Sequence, residues 1–175
     1  MTHLYFVRHG QSELNAAGRV AGVIDTPLTD EGRDQATETG KKAKSLGIEY
    51  IIASPLSRAY DTAKLIAKEI GYSEDKIEIN PMFAERDYGA MEGAPYVPYT
   101  SYDEVEGAEK TADLLARSER AVKYLESLPY EKILVVSHGS LGRALRHHMV
   151  VDQPFHMPIK YANAELISWP ARKQS

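Results

Sequence analysis

Apolar residues occur along this chain in two patterns. Three short unbroken runs, His3 to Val7, Tyr50 to Ala53 and Ile133 to Val136, are rich in β-branched and aromatic residues. Runs of that length, stopped by polar or glycine residues, predict strands buried on both faces. Ile77 to Ile79 and Ala164 to Trp169 are shorter candidates of the same kind. Between the runs the spacing becomes helical. Thr29 or Asp30 caps a helix to about Ser45, with Asp30 and Glu31 at its positive end and Gly47 as its stop. Ser54-Pro55 reads as a cap and first-turn proline of a helix reaching about Ile70, ended by Gly71. A third helix is expected from about Lys110 to Ser127, with Leu114, Ala121, Val122 and Leu125 near one face. A fourth is expected from Leu141 to Val150. The stretch from Glu85 to Gly107 carries glycines, prolines and tyrosines without period, and reads as an ordered loop or lid.

Strands alternating with helices imply an α/β layered domain with a largely parallel sheet. Three polar clusters, Arg8-His9-Gly10, Ser54 to Arg58 and Ser137-His138-Gly139, each follow a predicted strand. In open α/β sheets that edge is where ligands bind. The pattern thus points to one site before any chemistry is assigned.

Composition narrows the chemistry. The 175 residues contain no cysteine, which removes disulfides, thiolate metal sites and cysteine nucleophiles together. With 43% hydrophobic and 26% charged residues the chain is of ordinary globular type, and its length suits a single domain over 1–175. No apolar run approaches the roughly 20 residues needed to span a bilayer. The N-terminus does not read as a signal peptide, so a cytoplasmic location is expected. The net charge of -4 and the lack of a basic stripe argue against nucleic acid. Any anionic ligand must therefore be met by individually placed arginines.

Taken singly, each candidate residue has an ordinary structural reading. Arg8-His9-Gly10 suits a surface loop, His138 a satisfied strand-end histidine, Arg58 an exposed helix arginine, and Glu85 one more solvated acid. Together they offer more. A histidine fixed at a strand end can present one ring nitrogen as nucleophile while the other donates to a carbonyl. Gly139 lets backbone approach a ligand. Arg8 and Arg58 supply guanidinium forks suited to phosphate. Glu85, beside a bound phosphate ester, can protonate the leaving oxygen.

These residues resemble the histidine phosphatase superfamily, also called the phosphoglycerate mutase-like family. The likeness runs in order through Arg8 to Asn15 (RHGQSELN), Gly22 to Ala36, Ser54 to Ala63 (SPLSRAYDTA), Glu85 to Gly93 (ERDYGAMEG) and Ser137-His138-Gly139. It implies a three-layer α/β/α sandwich with a largely parallel central sheet, and a short lid at about 86–107. It also implies roles. His9 would attack phosphorus and become phosphohistidine; Arg8, Arg58 and His138 would surround the phosphoryl oxygens; Asn15 would add a neutral donor. Gly22 and Gly139 would border the ligand, and Glu85 would serve as acid and then base. Such chemistry rests on positioned donors and needs no metal or resident cofactor. The implied partner is a small-molecule phosphate ester.

Departures from the family bear on the outcome of the reaction. Ala21 replaces the polar residue usual before Gly22. The glycolytic mutases carry a longer insert after the glutamate, with a lysine and an arginine pair for the substrate carboxylate, and an asparagine after His-Gly. This chain has Tyr96 near the lysine's place, no such pair, and Ser140 after Gly139. Arg86 and Tyr88 remain as candidates to meet an acidic substrate group. The expectation is a phosphomonoesterase. The alternatives are a phosphoglycerate mutase using 2,3-bisphosphoglycerate, a protein phosphohistidine phosphatase, and a phosphate-binding scaffold without turnover. Tyr96, Tyr99 and Tyr102 line the pocket or pack the lid with equal ease. His147 and His148 read as structural or solvated, His156 carries no assignable role, and no oligomeric state is legible.

Overall fold

The computed structural model describes residues 2–98 and 101–170. Five strands form one sheet: β1 His3–Arg8, β2 Tyr50–Ala53, β3 Glu78–Ile79, β4 Lys132–Ser137 and β5 Leu166–Trp169. Their order is β3-β2-β4-β1-β5, with every neighbouring pair parallel except β1 with β5. The helices are α1 Glu13–Ala16, α2 Asp30–Ala43, α3 Ser57–Ile70, α4 Thr111–Ser127 and α5 Gly139–Met149. Among the described residues no helix is long and apolar enough to cross a membrane.

The unbroken apolar runs are explained by two cores. Side chains alternate across a strand, so Leu4, Phe6, Ile52, Ile133 and Val135 face one side with Leu114, Ala121, Val122 and Leu125 of α4 and Leu141, Ala144 and Leu145 of α5. Val7, Ile51, Ala53, Leu134 and Val136 face the other side, with Ala59, Ala63, Ile66 and Ala67 of α3 and Ala43 of α2. The result is a sheet between two helical layers, as expected. Close approach sets the helix positions. A Cβ on Gly142 would stand 2.4 Å from Phe6 Cζ, and one on Gly40 2.7 Å from Glu69 Cβ, so α5 lies tight on β1 and α2 tight on α3.

Two helix starts differ from expectation for a common reason. The helix expected from Ser54-Pro55 begins at Ser57, and the Ser54 hydroxyl instead joins the Leu56 amide to His138 Nε2. Its first amide, Ser57 N–H, donates instead to Asp25 Oδ1 at 2.8 Å. The helix expected from Leu141 begins at Gly139, and its Ser140 and Leu141 amides donate to the Glu85 carboxylate. Both caps arrive from distant sequence, and no local pattern announces them. The first long helix also stops earlier than expected, at Ala43, and Gly47 at φ 69° turns the chain towards β2. The short α1, capped reciprocally by Ser12 and Asn15, is additional to the elements expected.

The segment after Glu85 is built of turns rather than regular elements, with single 3-10 turns at Gly89–Met91 and Tyr102–Glu104. It is pinned by bridges between Arg19 and Pro95 and between Tyr88 and Ala108. Tyr99 lies outside the described residues.

Candidate active site

β1, β4 and β2 are adjacent, in register, and end together. Arg8 pairs with Ser137 and Ala53 with Val136, so His9, His138 and Ser54 emerge side by side. His9 N–H donates to Ser137 O at 2.9 Å, and Ser54 N–H to Val136 O at 3.1 Å. The two histidine rings stand 5.1 Å apart between centroids.

His9 is 3% exposed. Its Nδ1 is 2.7 Å from Gly10 O, a contact that requires the proton on Nδ1. Nε2 then carries the lone pair and accepts from Arg58 Nε at 3.3 Å. Burial, followed by the charges of Arg58 and Arg8, pushes the His9 pKa well below its ordinary 6.5. The ring is therefore neutral, with its basic nitrogen directed towards the Arg58 guanidinium. His138 is fully buried and held neutral in the same way, by burial first and then by Arg58. Its Nε2 meets Ser54 Oγ at 2.7 Å, while Nδ1 is buried without a protein partner.

Arg58 is 1% exposed and reaches the site from the first turn of α3. Its two terminal nitrogens donate to Ile24 O at 2.8 Å and Gly22 O at 2.6 Å. Gly22 thus enters the site through its carbonyl. Its φ of 55° suits glycine, and a Cβ there would fall 2.1 Å from Glu92 Oε1. Arg8 donates to Tyr161 O at 2.7 Å and keeps a buried Nε without a partner. Neither arginine is neutralised by contact with a carboxylate among the described residues. Burying two such cations at a strand edge is costly unless an anion joins them.

The Glu85 carboxylate is fixed from three sides. It accepts from Arg86 N–H at 2.8 Å and from Ser140 and Leu141 N–H at 3.1 Å each. Asn15 uses its Oδ1 on Ser12 N–H and Asn163, so Nδ2 is the end its amide has to offer. The Tyr88 hydroxyl contacts Ser140 Oγ at 2.5 Å, and burial pushes its pKa far up, keeping the proton on oxygen. A Cβ on Gly139 would stand 3.8 Å from Arg8 Nε, so the bare backbone there borders the arginine.

Arg86 departs from expectation. Its guanidinium is buried against the lid, donating to Glu109 O at 2.8 Å and to Asp103 Oδ1 at 3.0 Å, and lying over the Tyr102 ring. Those acceptors tie it to the lid. Tyr102 packs the lid against Tyr88, whereas Tyr96 is 49% exposed with Lys160 above its ring. His147 and His148 contact the backbone carbonyls of Gln153 and Leu115, which makes them structural, and His156 packs on Phe155. Among the described residues no cluster of His, Cys, Asp and Glu could hold a metal ion.

Several residues that shape the site were not anticipated. Thr62 Oγ1 accepts from Gly10 N–H, Asn163 Nδ2 donates to His9 O, and the Ala164 amide donates to the Arg8 and His9 carbonyls. Ala164 does so at φ 57°, a conformation no alanine advertises in sequence. Thr62 did carry a signal: it lies one helical turn after Arg58, on the same face.

The chain matches the family described as histidine phosphatase superfamily (branch 1) over residues 4–173. A Bacillus subtilis strain 168 protein named uncharacterized phosphatase PhoE is 33% identical over 170 residues, covering 94% of this chain and 86% of its own. The probable phosphoglycerate mutase GpmB of Salmonella paratyphi B is 34% identical over 154 residues, covering 79% and 70% respectively. A solved phosphoglycerate mutase from Bacillus anthracis superposes with a TM-score of 0.82 at 22% identity, over 95% of this chain and 86% of that one. At that identity it shows the fold alone, which is phosphoglycerate mutase-like.

Proposed function

This chain belongs to branch 1 of the histidine phosphatase superfamily, and we propose from that membership that it is a phosphomonoesterase acting on a small phosphorylated metabolite through a phosphohistidine at His9. One observation carries the reading. The Gly10 carbonyl holds the proton of His9 on Nδ1, leaving a desolvated Nε2 lone pair beside the Arg58 guanidinium. A nucleophile next to cations, with no anion in contact, suits attack on a phosphate ester.

Nε2 attacks phosphorus in line, the P–O bond to the alcohol breaks, and Glu85 delivers a proton to the departing oxygen. Arg8 and Arg58 carry the charge on the equatorial oxygens. Ser54 donates its hydroxyl proton to His138 Nε2, so that Nδ1–H is available to a third oxygen, and Asn15 Nδ2 adds a neutral donor. Water then attacks phosphorus opposite the P–N bond, Glu85 takes its proton, and His9 is released with inorganic phosphate. The two guanidinium groups supply the positive charge that a metal ion would otherwise bring.

Water is favoured over a second substrate hydroxyl because the lid is a run of turns, exposed at Tyr96 and Val97. The relative matched over most of its length, PhoE, also bears the name phosphatase. The likeness to GpmB favours a second reading, a phosphoglycerate mutase dependent on 2,3-bisphosphoglycerate.

Both readings are tested together. The protein is assayed without metal on an aryl phosphate, with and without vanadate. It is then assayed on 3-phosphoglycerate with and without the bisphosphate, scoring phosphate release against isomerisation. The phosphatase reading expects vanadate-sensitive release that is lost in His9→Ala, and an acid-labile phosphoryl group on His9. Release undiminished in His9→Ala would overturn it; isomerisation outpacing release would favour the mutase.

A further inference from the structure

An asparagine amide has a donor end and an acceptor end of nearly the same shape, so its hydrogen-bond partners decide which end faces a ligand. Asn15 Oδ1 accepts from Ser12 N–H at 3.1 Å and from Asn163 Nδ2 at 3.3 Å. With the amide turned over, Nδ2 would face two donors and both bonds would be lost. Ser12 is the cap of α1 and moves with Asn15. Asn163 comes from 148 positions further along the chain and from another part of the fold.

Asn163 is itself held. It sits in the turn leading into β5, where Ala162 N–H donates to the Glu165 carboxylate at 2.6 Å and Glu165 N–H to Ala162 O at 3.2 Å. The next residue, Ala164, donates its N–H to Arg8 O at 2.8 Å and to His9 O at 3.1 Å. Its carbonyl accepts from the buried Thr39 hydroxyl of α2 at 2.6 Å. Asn163 Nδ2 faces two acceptors, Asn15 Oδ1 and His9 O, the second at 3.1 Å. Turned over, its own Oδ1 would meet two oxygens. The two amides therefore fix each other's orientation, and their anchor is β1 and α2 rather than α1. A helix of four residues has little rigidity of its own with which to hold a donor against a phosphoryl group. Asn163 ties that donor to the end of the strand carrying His9.

We propose that Asn163 is a positioning residue of the phosphate site. It directs the Nδ2 donor of Asn15 at the phosphoryl oxygens and sets its place relative to His9, without touching the phosphate itself. A donor aimed in advance stabilises developing charge with no reorganisation at the moment of reaction. The proposal rests on the phosphomonoesterase reading and adds to it a residue that acts through another.

The test combines NMR of isotope-labelled protein with kinetics, using vanadate as the probe. Vanadate should shift the side-chain amide resonances of Asn15 and leave those of Asn163 in place, the two being assigned by their loss in Asn15→Ala and Asn163→Leu. Asn163→Leu, close in shape but without a donor, should lower kcat/KM for phenyl phosphate about 10-fold and weaken vanadate binding to a similar degree. In an Asn15→Ala background the same replacement should change either quantity by less than about 2-fold, because nothing is left to orient. Asn163→Ser, whose hydroxyl is too short to reach Asn15, is read in the same way and separates the lost donor from any disturbance by leucine. Equal losses with and without Asn15 overturn the proposal. So does a lowered urea midpoint with kcat/KM and vanadate affinity intact, which is what a purely structural role gives. A vanadate shift as large at Asn163 as at Asn15 makes Asn163 a ligand contact and overturns it too. An unresponsive Asn15 overturns it in the unaltered protein, with no variant needed. Failure to hydrolyse phenyl phosphate while Asn15 still responds to vanadate overturns the phosphomonoesterase reading alone.

Discussion

The two site histidines carry a cost that appears as pH dependence. His9 and His138 are neutral in the fold because burial and then Arg58 depress their pKa well below 6.5. Unfolding returns each to its ordinary value. Above about pH 6.5 neither state binds the proton, so these residues add no pH dependence. Below it the unfolded chain takes up protons that the native state refuses, and stability falls as pH drops towards the depressed native values. The slope is at most about 1.4 kcal/mol per pH unit for each histidine. Urea midpoints measured from pH 7.5 to 5.5 should decline, and less steeply in His138→Asn. An equal slope in that variant would mean that His138 protonates within the fold.

At the scale of elements, glycines separate shape from charge. Gly10 turns the end of β1 against the start of α2 so closely that a Cβ would stand 2.3 Å from Gly32 O. Gly10→Ala must move backbone beside His9, costing about 3 kcal/mol and lowering turnover along with stability. Gly71 is the contrasting case. It ends α3 at φ 75° with nothing within 4 Å of where a Cβ would be. Gly71→Ala should cost roughly 1 kcal/mol through backbone strain alone and leave kcat unchanged. Thermal melts and aryl phosphate assays on the two variants check the difference. Equal effects on turnover would remove the special place given to the β1–α2 junction.

Across the whole molecule, the lid is fastened to the turn before Glu85 through Arg117. From α4 this side chain clasps both Glu109 oxygens, at 2.9 and 2.8 Å, and donates to Met82 O and Ala84 O. Ala84 precedes Glu85, so the same group that closes the lid also sets the strand-end turn carrying the proposed acid. Arg117→Ala leaves Glu109 and two carbonyls without partners, and should cost roughly 3 kcal/mol. It should also reduce kcat more than it raises KM, because Glu85 loses its orientation while Arg8 and Arg58 do not. Steady-state kinetics on a substrate with a poor leaving group, where protonation matters most, will show the effect. A change confined to KM would place Arg117 in substrate binding instead.

Strand positions were legible in sequence because their physics is local. A run such as Ile133 to Val136 has apolar residues for both faces, and only a sheet covered on both sides accommodates it. The polar tripeptides ending two such runs marked His9 and His138 as neighbours, and parallel register brings them there. What sequence could not settle was the neighbourhood of each group. Asp25 capping α3 and Glu85 capping α5 come from far along the chain, which is why both helix starts were misplaced. Arg86 and Arg58 are alike as residues. Only folding gives Arg86 a carboxylate partner in the lid and places Arg58 on His9 Nε2. Residue type fixes what a side chain can do chemically. Which partners occupy it, and hence whether it is available to a ligand, is decided by contacts between distant segments.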